Sequence, residues 1–566
     1  MQRLRWQLLI AAGGLILVLV LLLGQSPDTP AGVPEPQKGG AYTEALVGSI
    51  SRLNPVLDFA NQVDRDIDRL LYGGLVRFDS RGMPVPDLAE GWSVSADATL
   101  YTFRLRPEAV WHDGQPVTAD DVVYTFSKMQ DDAYPGPADV HKMWKKVNVI
   151  RLDEHNVQFQ LPEPFAPFMD YLAVGLLPEH LLRGVTVDEL VDHPFNLNPI
   201  GTGPFQFDRF FLEDGKIQGV SLIRNDRYHG DVPFLERVDF RLYPDSRAAL
   251  QPLLAGEVQG IQRVDLAELP SVLGQAGLNV YSSRLPIESI IFLNNKEPEK
   301  TYLAEKRFRQ ALLLAINRQS LIDQVLGGQG ILAVGPILPG TWAFNDSQEP
   351  TPFDPDRASQ LLESLGYGLP VGASPGTAEY VRANEDGVKL SLELVFPDDD
   401  SHTAIAGLIR GYWQAIGVET TLKGVPSGDI LTDFLEPREY QAVLTEINLS
   451  RSPDPDPYPF WHDTQAENGQ NYSGFSDRNS SIWLEQARIN PDYGRRAELY
   501  RSFQHRFLDQ LPALPLFHPV YNTAVSALVQ GIRVGSLFDP SDRLARINEW
   551  YTVAGRKSPL QSTPTP

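Results

Sequence analysis

Apolar and polar positions along this chain alternate between a period of two and a helical period. Between Thr99 and Arg106, the residues Tyr101, Phe103 and Leu105 fall on one face and Thr102, Arg104 and Arg106 on the other, which predicts a half-buried strand. Val238, Phe240 and Leu242 repeat that alternation. Helical spacing takes over behind Thr118 and Asp121, a capping-box-like start followed by Val122, Val123, Phe126 and Met129 on one face. Phe308, Ala311, Leu312, Ala315 and Ile316 form a second stripe. Asp354 as N-cap and Pro355 at the first helical position introduce a third, with Ala358, Leu361, Leu362 and Leu365 buried and Gly366 as the stop. Ile405, Leu408, Ile409, Tyr412, Trp413 and Ile416 run up to Gly417, after which Val418, Thr420 and Leu422 alternate again. Helix, glycine and strand joined by short connections predict an α/β body. No fixed-period repeat interrupts it, which argues against solenoids and propellers.

One segment follows neither period. Leu8 to Leu23 is continuously apolar, Arg3 and Arg5 precede it, and no positive charge follows until Lys38. Basic residues stay cytoplasmic, so the rest of the chain is expected outside the cell membrane. The run ends in Leu23-Gly24-Gln25-Ser26, without the small-residue pattern of a cleavage site. Residues 1–25 therefore read as a membrane anchor in preference to a cleaved signal. Residues 26–38, rich in proline, read as a linker, and 556–566 as a disordered tail.

Composition narrows the function. The net charge of −23 over 566 residues argues against nucleic acid as a partner. Cysteine is absent, which excludes disulfides, thiolate metal sites, cysteine nucleophiles and a lipid-bearing cysteine behind the apolar run. The 10 histidines are scattered and form no zinc-protease pattern, and no phosphate-binding glycine loop is present. Gly372-Ala373-Ser374-Pro375-Gly376 matches a nucleophile elbow, but the residue after the serine must donate an N–H to the oxyanion and Pro375 has none. Asp398-Asp399-Asp400 reads as a helix-capping turn rather than a cation site. No catalytic residues, metal or cofactor are expected. The stiff stretch from Arg451 to Trp461, with alternating prolines, two acids and aromatics, and Asn471-Tyr472-Ser473-Gly474-Phe475 after it, suit either a pocket wall or a rigid surface connector.

Several segments, in order, carry a resemblance: Leu53-Asn54-Pro55; Tyr72-Gly73-Gly74-Leu75-Val76; Pro86-Asp87-Leu88-Ala89-Glu90-Gly91-Trp92; and Trp111-His112-Asp113-Gly114-Gln115-Pro116-Val117-Thr118. Gly201-Thr202-Gly203-Pro204-Phe205, then Arg309-Gln310-Ala311 through Asn317-Arg318, and Asp454-Pro455-Asp456-Pro457 continue the series. From about residue 39 to 555 the chain resembles the peptide/nickel-type extracellular solute-binding proteins, family 5, of ABC importers. The resemblance implies a periplasmic-binding-protein type II fold, a two-lobed flytrap with an extra inserted domain. Lobe I would comprise 39–74, 196–284 and 523–555, the inserted domain 75–195 and lobe II 285–522. His112 would be a turn residue.

The implied role is capture of a peptide or peptide-sized polar solute between the lobes and delivery to permease subunits driven by cytosolic ATPases. The protein would be a monomer on the extracytoplasmic face and not an enzyme. Peptide binders of the family hold the ligand's amino group with an acid three residues before an acid–proline pair, where this chain has Arg451 or Pro453. Asp454 is a candidate substitute, whereas an Arg451 facing the cleft would favour a carboxylate or other anion. Candidate ligand-binding residues are Asn61, Tyr72, Arg451, Asp454, Asp456 and Trp461. Alternatives are a metal-chelate receptor using His462 and His518, or a sugar or anion receptor of the same fold. A tethered hydrolase and a ligand-reporting sensor are the readings from other classes.

Overall fold

The structure, a computed structural model, describes residues 36–451 and 453–553. The expected anchor, most of the proline-rich linker and the C-terminal tail lie outside the described residues. Among the described residues no helix is long and apolar enough to cross a membrane.

A sheet of 12 strands runs through the body. From one edge its order is Glu419–Val425, Ser391–Pro397, Ala442–Asn448, Ile287–Leu293, Ala513–Ser526, Gly260–Ile261, Ala41–Val47, Arg237–Tyr243, Lys216–Arg224 and Phe205–Glu213. The long strand Ala513–Ser526 joins the two ends. Its first part pairs with Ile287–Leu293 and its second with Leu278–Arg284 and Gly260–Ile261, while the short strand Gly330–Leu332 pairs with its middle, Phe517–Pro519. Two neighbouring segments, Arg284–Ile287 and Phe517–Val520, thus carry the chain from one half to the other. Ladder register shifts beside them, between Ser289 and Ile290.

Alternation explains why the strands of the first half are apolar on both faces. In Ile287–Leu293, Ile290 and Phe292 enter one core, with Trp461, Tyr500 and Phe507. Ile291 and Leu293 enter the opposite one, with Phe308, Leu312, Ile409 and Trp413. Helices cover both faces, so neither set meets water. The stripes read from the sequence form these covers. Lys306–Ala315, Pro355–Ser364 and Asp400–Ala415 are helices. The Asp354 side chain accepts from the Arg357 amide and Asp399 from the His402 amide, so the acidic triplet is a helix cap as expected. Gly417 follows with φ +82°, a conformation that suits glycine, and releases the chain into Glu419–Val425.

In the other half, residues 84–197 build a four-stranded antiparallel sheet from Ala89–Val94, Leu100–Leu105, Asn156–Gln160 and Asn148–Arg151, covered by the helix Ala119–Gln130. Phe103, Phe126, Trp144, Phe159 and Phe168 pack ring against ring beneath it. This core is continuous with that around Tyr42, Val238 and Phe240. The chain's end returns to its beginning through a buried ion network: Arg543 lies 3.1 Å from Glu44 and 2.8 Å from Asp66.

Candidate functional site

A cavity of about 1840 Å³ lies where three parts of the chain meet. The first wall comes from Pro55 to Arg77 and Phe538 to Glu549, the second from Met129 to Val174, and the third from Asn448 to Phe460 with Glu485 to Ile489. Small-molecule pockets usually measure about 300–1,000 Å³, so this one suits a ligand of several residues' size.

The proline-alternating stretch forms the third wall, pinned at each step. The Leu449 amide donates to the Pro286 carbonyl at 2.7 Å, and the Arg451 amide to Phe538 at 2.7 Å. Arg451 holds φ +64°, rare for a side chain larger than glycine, and its guanidinium extends to within 3.6 Å of Asp58 on the first wall. The Asp454 amide donates to Asp170 at 2.9 Å, tying this wall to the second. The Asp454 carboxylate accepts from buried Arg496 at 2.7 Å. Asp456 lies 3.3 Å from Arg488, whose guanidinium is held over the rings of Tyr458 and Phe165, 4.3 and 5.1 Å from their centroids. Burial pushes the Asp456 carboxyl up to about 6, against the pull of Arg488. Asp170 is driven well above the usual range by burial and then by Asp454.

On the first wall the helix Gln62–Leu71 carries Arg65, Asp68 and Arg69 into the lining. Arg65 pairs with Asp539 and Arg69 with Asp542, each at 3.0 Å. Asp58, ahead of this helix, is pushed up to about 7 by burial, opposed by Arg451 and Arg65.

Of the six residues singled out in the sequence, Tyr72, Arg451, Asp454 and Asp456 line the cavity. Tyr72 offers only its ring, because its hydroxyl donates to the Leu53 carbonyl at 3.0 Å. Asp454 is held by Arg496, so it is not a free acid for an ammonium group. The other two lie outside the lining. Asn61 is the N-cap of Gln62–Leu71, its side chain accepting from Val63 and donating to Ser49, and it is not in the lining. Trp461 is 2% exposed, packed against Phe292 and Phe507 with centroids 6.0 and 4.8 Å away. The stretch reads as a wall up to Phe460 and as core at Trp461, because Tyr458–Trp461 turns into a short helix.

Sequence reasoning missed Asp58, Asp68, Asp170, Arg488 and Arg496. Asp64 and Asp68, four apart and so on one helical face beside Ile67 and Leu71, were a readable signal for the second of these. The others come from distant segments and leave no local trace. His462 and His518, the histidines for a chelate reading, are buried outside the cavity lining, on Glu485 and on the Ile287 carbonyl respectively. Among the described residues no group of three or more His, Cys, Asp or Glu is placed to hold a metal ion.

Residues 83–470 match the profile of the bacterial extracellular solute-binding proteins, family 5, middle region. The chain belongs to this family. The dipeptide-binding protein of Escherichia coli K12 is 27% identical over 87% of this chain and 91% of its own length. The oligopeptide-binding protein AppA of Bacillus subtilis is 24% identical over 91% and 92%. The two-lobed fold is shared with HbpA2 from Haemophilus parasuis, at TM-score 0.75 and 23% identity over 88% of this chain and 98% of that one. It is shared too with the nonapeptide complex of the Bacillus subtilis AppA, at TM-score 0.63 and 24% identity over 92% and 100%. Within the family fold, Trp111 to Gly114 and Gly201 to Phe205 are docked on each other through His112, a buried structural histidine. The family is one of solute-binding proteins.

Proposed function

We propose that this chain is the extracytoplasmic substrate-binding subunit of an ABC importer, capturing a peptide or peptide-sized polar solute and handing it to membrane permease subunits. The observation that carries the reading is the cavity of about 1840 Å³, walled from both halves and furnished with aromatic rings, paired acids and arginines. Its size and charge suit a zwitterion several residues long better than a single amino acid. The relatives named above as dipeptide- and oligopeptide-binding proteins point the same way.

The ligand would sit between lobe I (39–74, 196–284 and 523–555) and lobe II (285–522), with 75–195 as the inserted domain. The exchange of partners along Ala513–Ser526 supports that division. Closure about Arg284–Ile287 and Phe517–Val520 would bury the ligand. Arg451 and Arg488, each a preformed cation in the lining, are the contacts for ligand carboxylates, with the Tyr72 ring and Asp456 beside them. The apolar run from Leu8 to Leu23 would tether a monomer to the cell membrane, and the protein would bind its ligand without chemical change.

A thermal-shift and calorimetric screen of the full-length protein against di- to hexapeptides, amino acids, sugars and nickel chelates tests this. A ligand specific to the folded state stabilises it by about 2.7 kcal/mol at a hundredfold excess over Kd. Stabilisation by one length class of peptide, with the peptide recovered intact, is the expected result. Response to a sugar or chelate alone would overturn the cargo, and hydrolysis of the peptide would overturn the binding role.

A further inference from the structure

The first wall contains carboxylates that the protein's own cations leave unmatched. Asp68 is 3% exposed and Asp58 is 7% exposed, and both line the cavity. Among the described residues Asp68 meets no cation and no closely placed donor, the Asn54 backbone amide being the one group turned toward it, and Oδ1 of Asp58 makes no hydrogen bond. A buried carboxylate left in this way is costly, so most are paired.

The neighbouring cations are committed elsewhere. Arg65 is taken by Asp539 and Arg69 by Asp542. Asp66 is matched by Arg543. Asp64 accepts from the Ser51 and Arg52 amides, both at 2.9 Å. Arg65 also donates to the Asp58 backbone carbonyl at 3.1 Å, and among the described residues the cation nearest the Asp58 carboxylate is Arg451, at 3.6 Å and with a side chain 44% exposed. Around the two acids the lining is aromatic. Phe59 and Tyr134 meet edge to face with centroids 6.4 Å apart, and Tyr72 is close enough to both acids to interact with them electrostatically. Carboxylates backed by ring faces are the chemistry that holds an ammonium or guanidinium group.

We infer that Asp58 and Asp68, with Phe59, Tyr72 and Tyr134, form a subsite for a cationic group of the ligand, which replaces Arg451 on Asp58. The subsite lies on a different wall from Asp454, the acid that Arg496 already neutralises. It takes either an amino terminus or a basic side chain, since both present the same charge and donors. The inference deepens the peptide-capture reading and rests on it only for the choice of probes.

The test is calorimetry on the full-length protein with four probes: tetra-alanine, its N-acetyl amide, an N-acetyl amide tetrapeptide with one internal lysine, and cadaverine. At least one cation-bearing probe should bind roughly tenfold or more tightly than the neutral peptide, as a charge-assisted contact requires. Preference for tetra-alanine assigns the subsite to an amino terminus, and preference for the lysine peptide to a side chain. Asp68→Asn and Asp58→Asn, each checked for an unchanged circular dichroism spectrum, should erase that preference while leaving neutral-peptide binding in place. If both variants keep the preference, or the wild type shows none, the subsite is wrong. If no peptide binds but cadaverine does, in an Asp68-dependent way, the peptide reading falls and the cationic subsite stands. Absence of any Asp68-dependent binding overturns it.

Discussion

His112 and Gly201 hold each other by two reciprocal hydrogen bonds: the His112 amide donates to the Gly201 carbonyl at 2.8 Å, and the Gly201 amide donates to His112 Nδ1 at 3.1 Å. Because Nδ1 accepts, the ring proton sits on Nε2, which faces the Gly203 carbonyl at 3.1 Å. Arg227 then donates to the His112 carbonyl at 2.7 Å. Two motifs 89 residues apart are thereby one structural joint.

This joint makes stability depend on pH in a stated direction. Burial pushes His112 down to about 4, whereas in the unfolded chain it titrates near 6.5. Between these values the unfolded state binds the extra proton, so the contribution is complete above about 6.5 and is lost as pH falls toward 4. It amounts to at most about 3–4 kcal/mol. Denaturant unfolding from pH 4.5 to 7.5 should show a stability slope that is shallower in His112→Gln. An identical slope in wild type and variant would place the ring elsewhere.

Gly201 should tolerate no side chain. A Cβ there would lie 1.8 Å from the Leu71 carbonyl oxygen, which is backbone and cannot swing away. Gly201→Ala is expected to cost about 1–3 kcal/mol or more as an overpacking change, read as a lowered midpoint in urea.

Trp461→Ala should lower stability by about 3–5 kcal/mol, since the ring fills a core against Phe292 and Phe507. Any loss of ligand affinity should follow the unfolded fraction. A well-folded Trp461→Ala protein with weakened binding would return this residue to the ligand.

Asp454 and Arg496 should behave as one unit. Removing either leaves a buried charge unmatched, at about 3–5 kcal/mol, so Asp454→Asn and Arg496→Met are each expected to destabilise strongly. The double variant should recover much of that loss. A double-mutant cycle that is additive would mean that the two do not act through each other.

The fold was legible wherever the signal is local. The stripe ending at Gly417 and the Asp354 and Asp399 caps depend on residues within a turn or two of one another, and each appears where the spacing puts it. The cleft was legible in part. Arg451 and Asp456 could be picked out because proline alternation marks their loop as stiff. Trp461 belongs to the same stretch, and only the turn into a short helix beyond Pro457 decides that it faces inward.

By itself the sequence determined the α/β class, the family, the run of helix caps and the acid-rich loop, because periodicity, capping and ordered motifs are properties of neighbouring residues. Tertiary structure alone decided that Arg496 would neutralise Asp454, that Arg451 would reach Asp58, and that Asp68 would meet no cation among the described residues. Those outcomes depend on which side chains meet across the cavity from segments up to hundreds of residues apart. Burial then sets the strength of each charge they bring, and no local pattern records it.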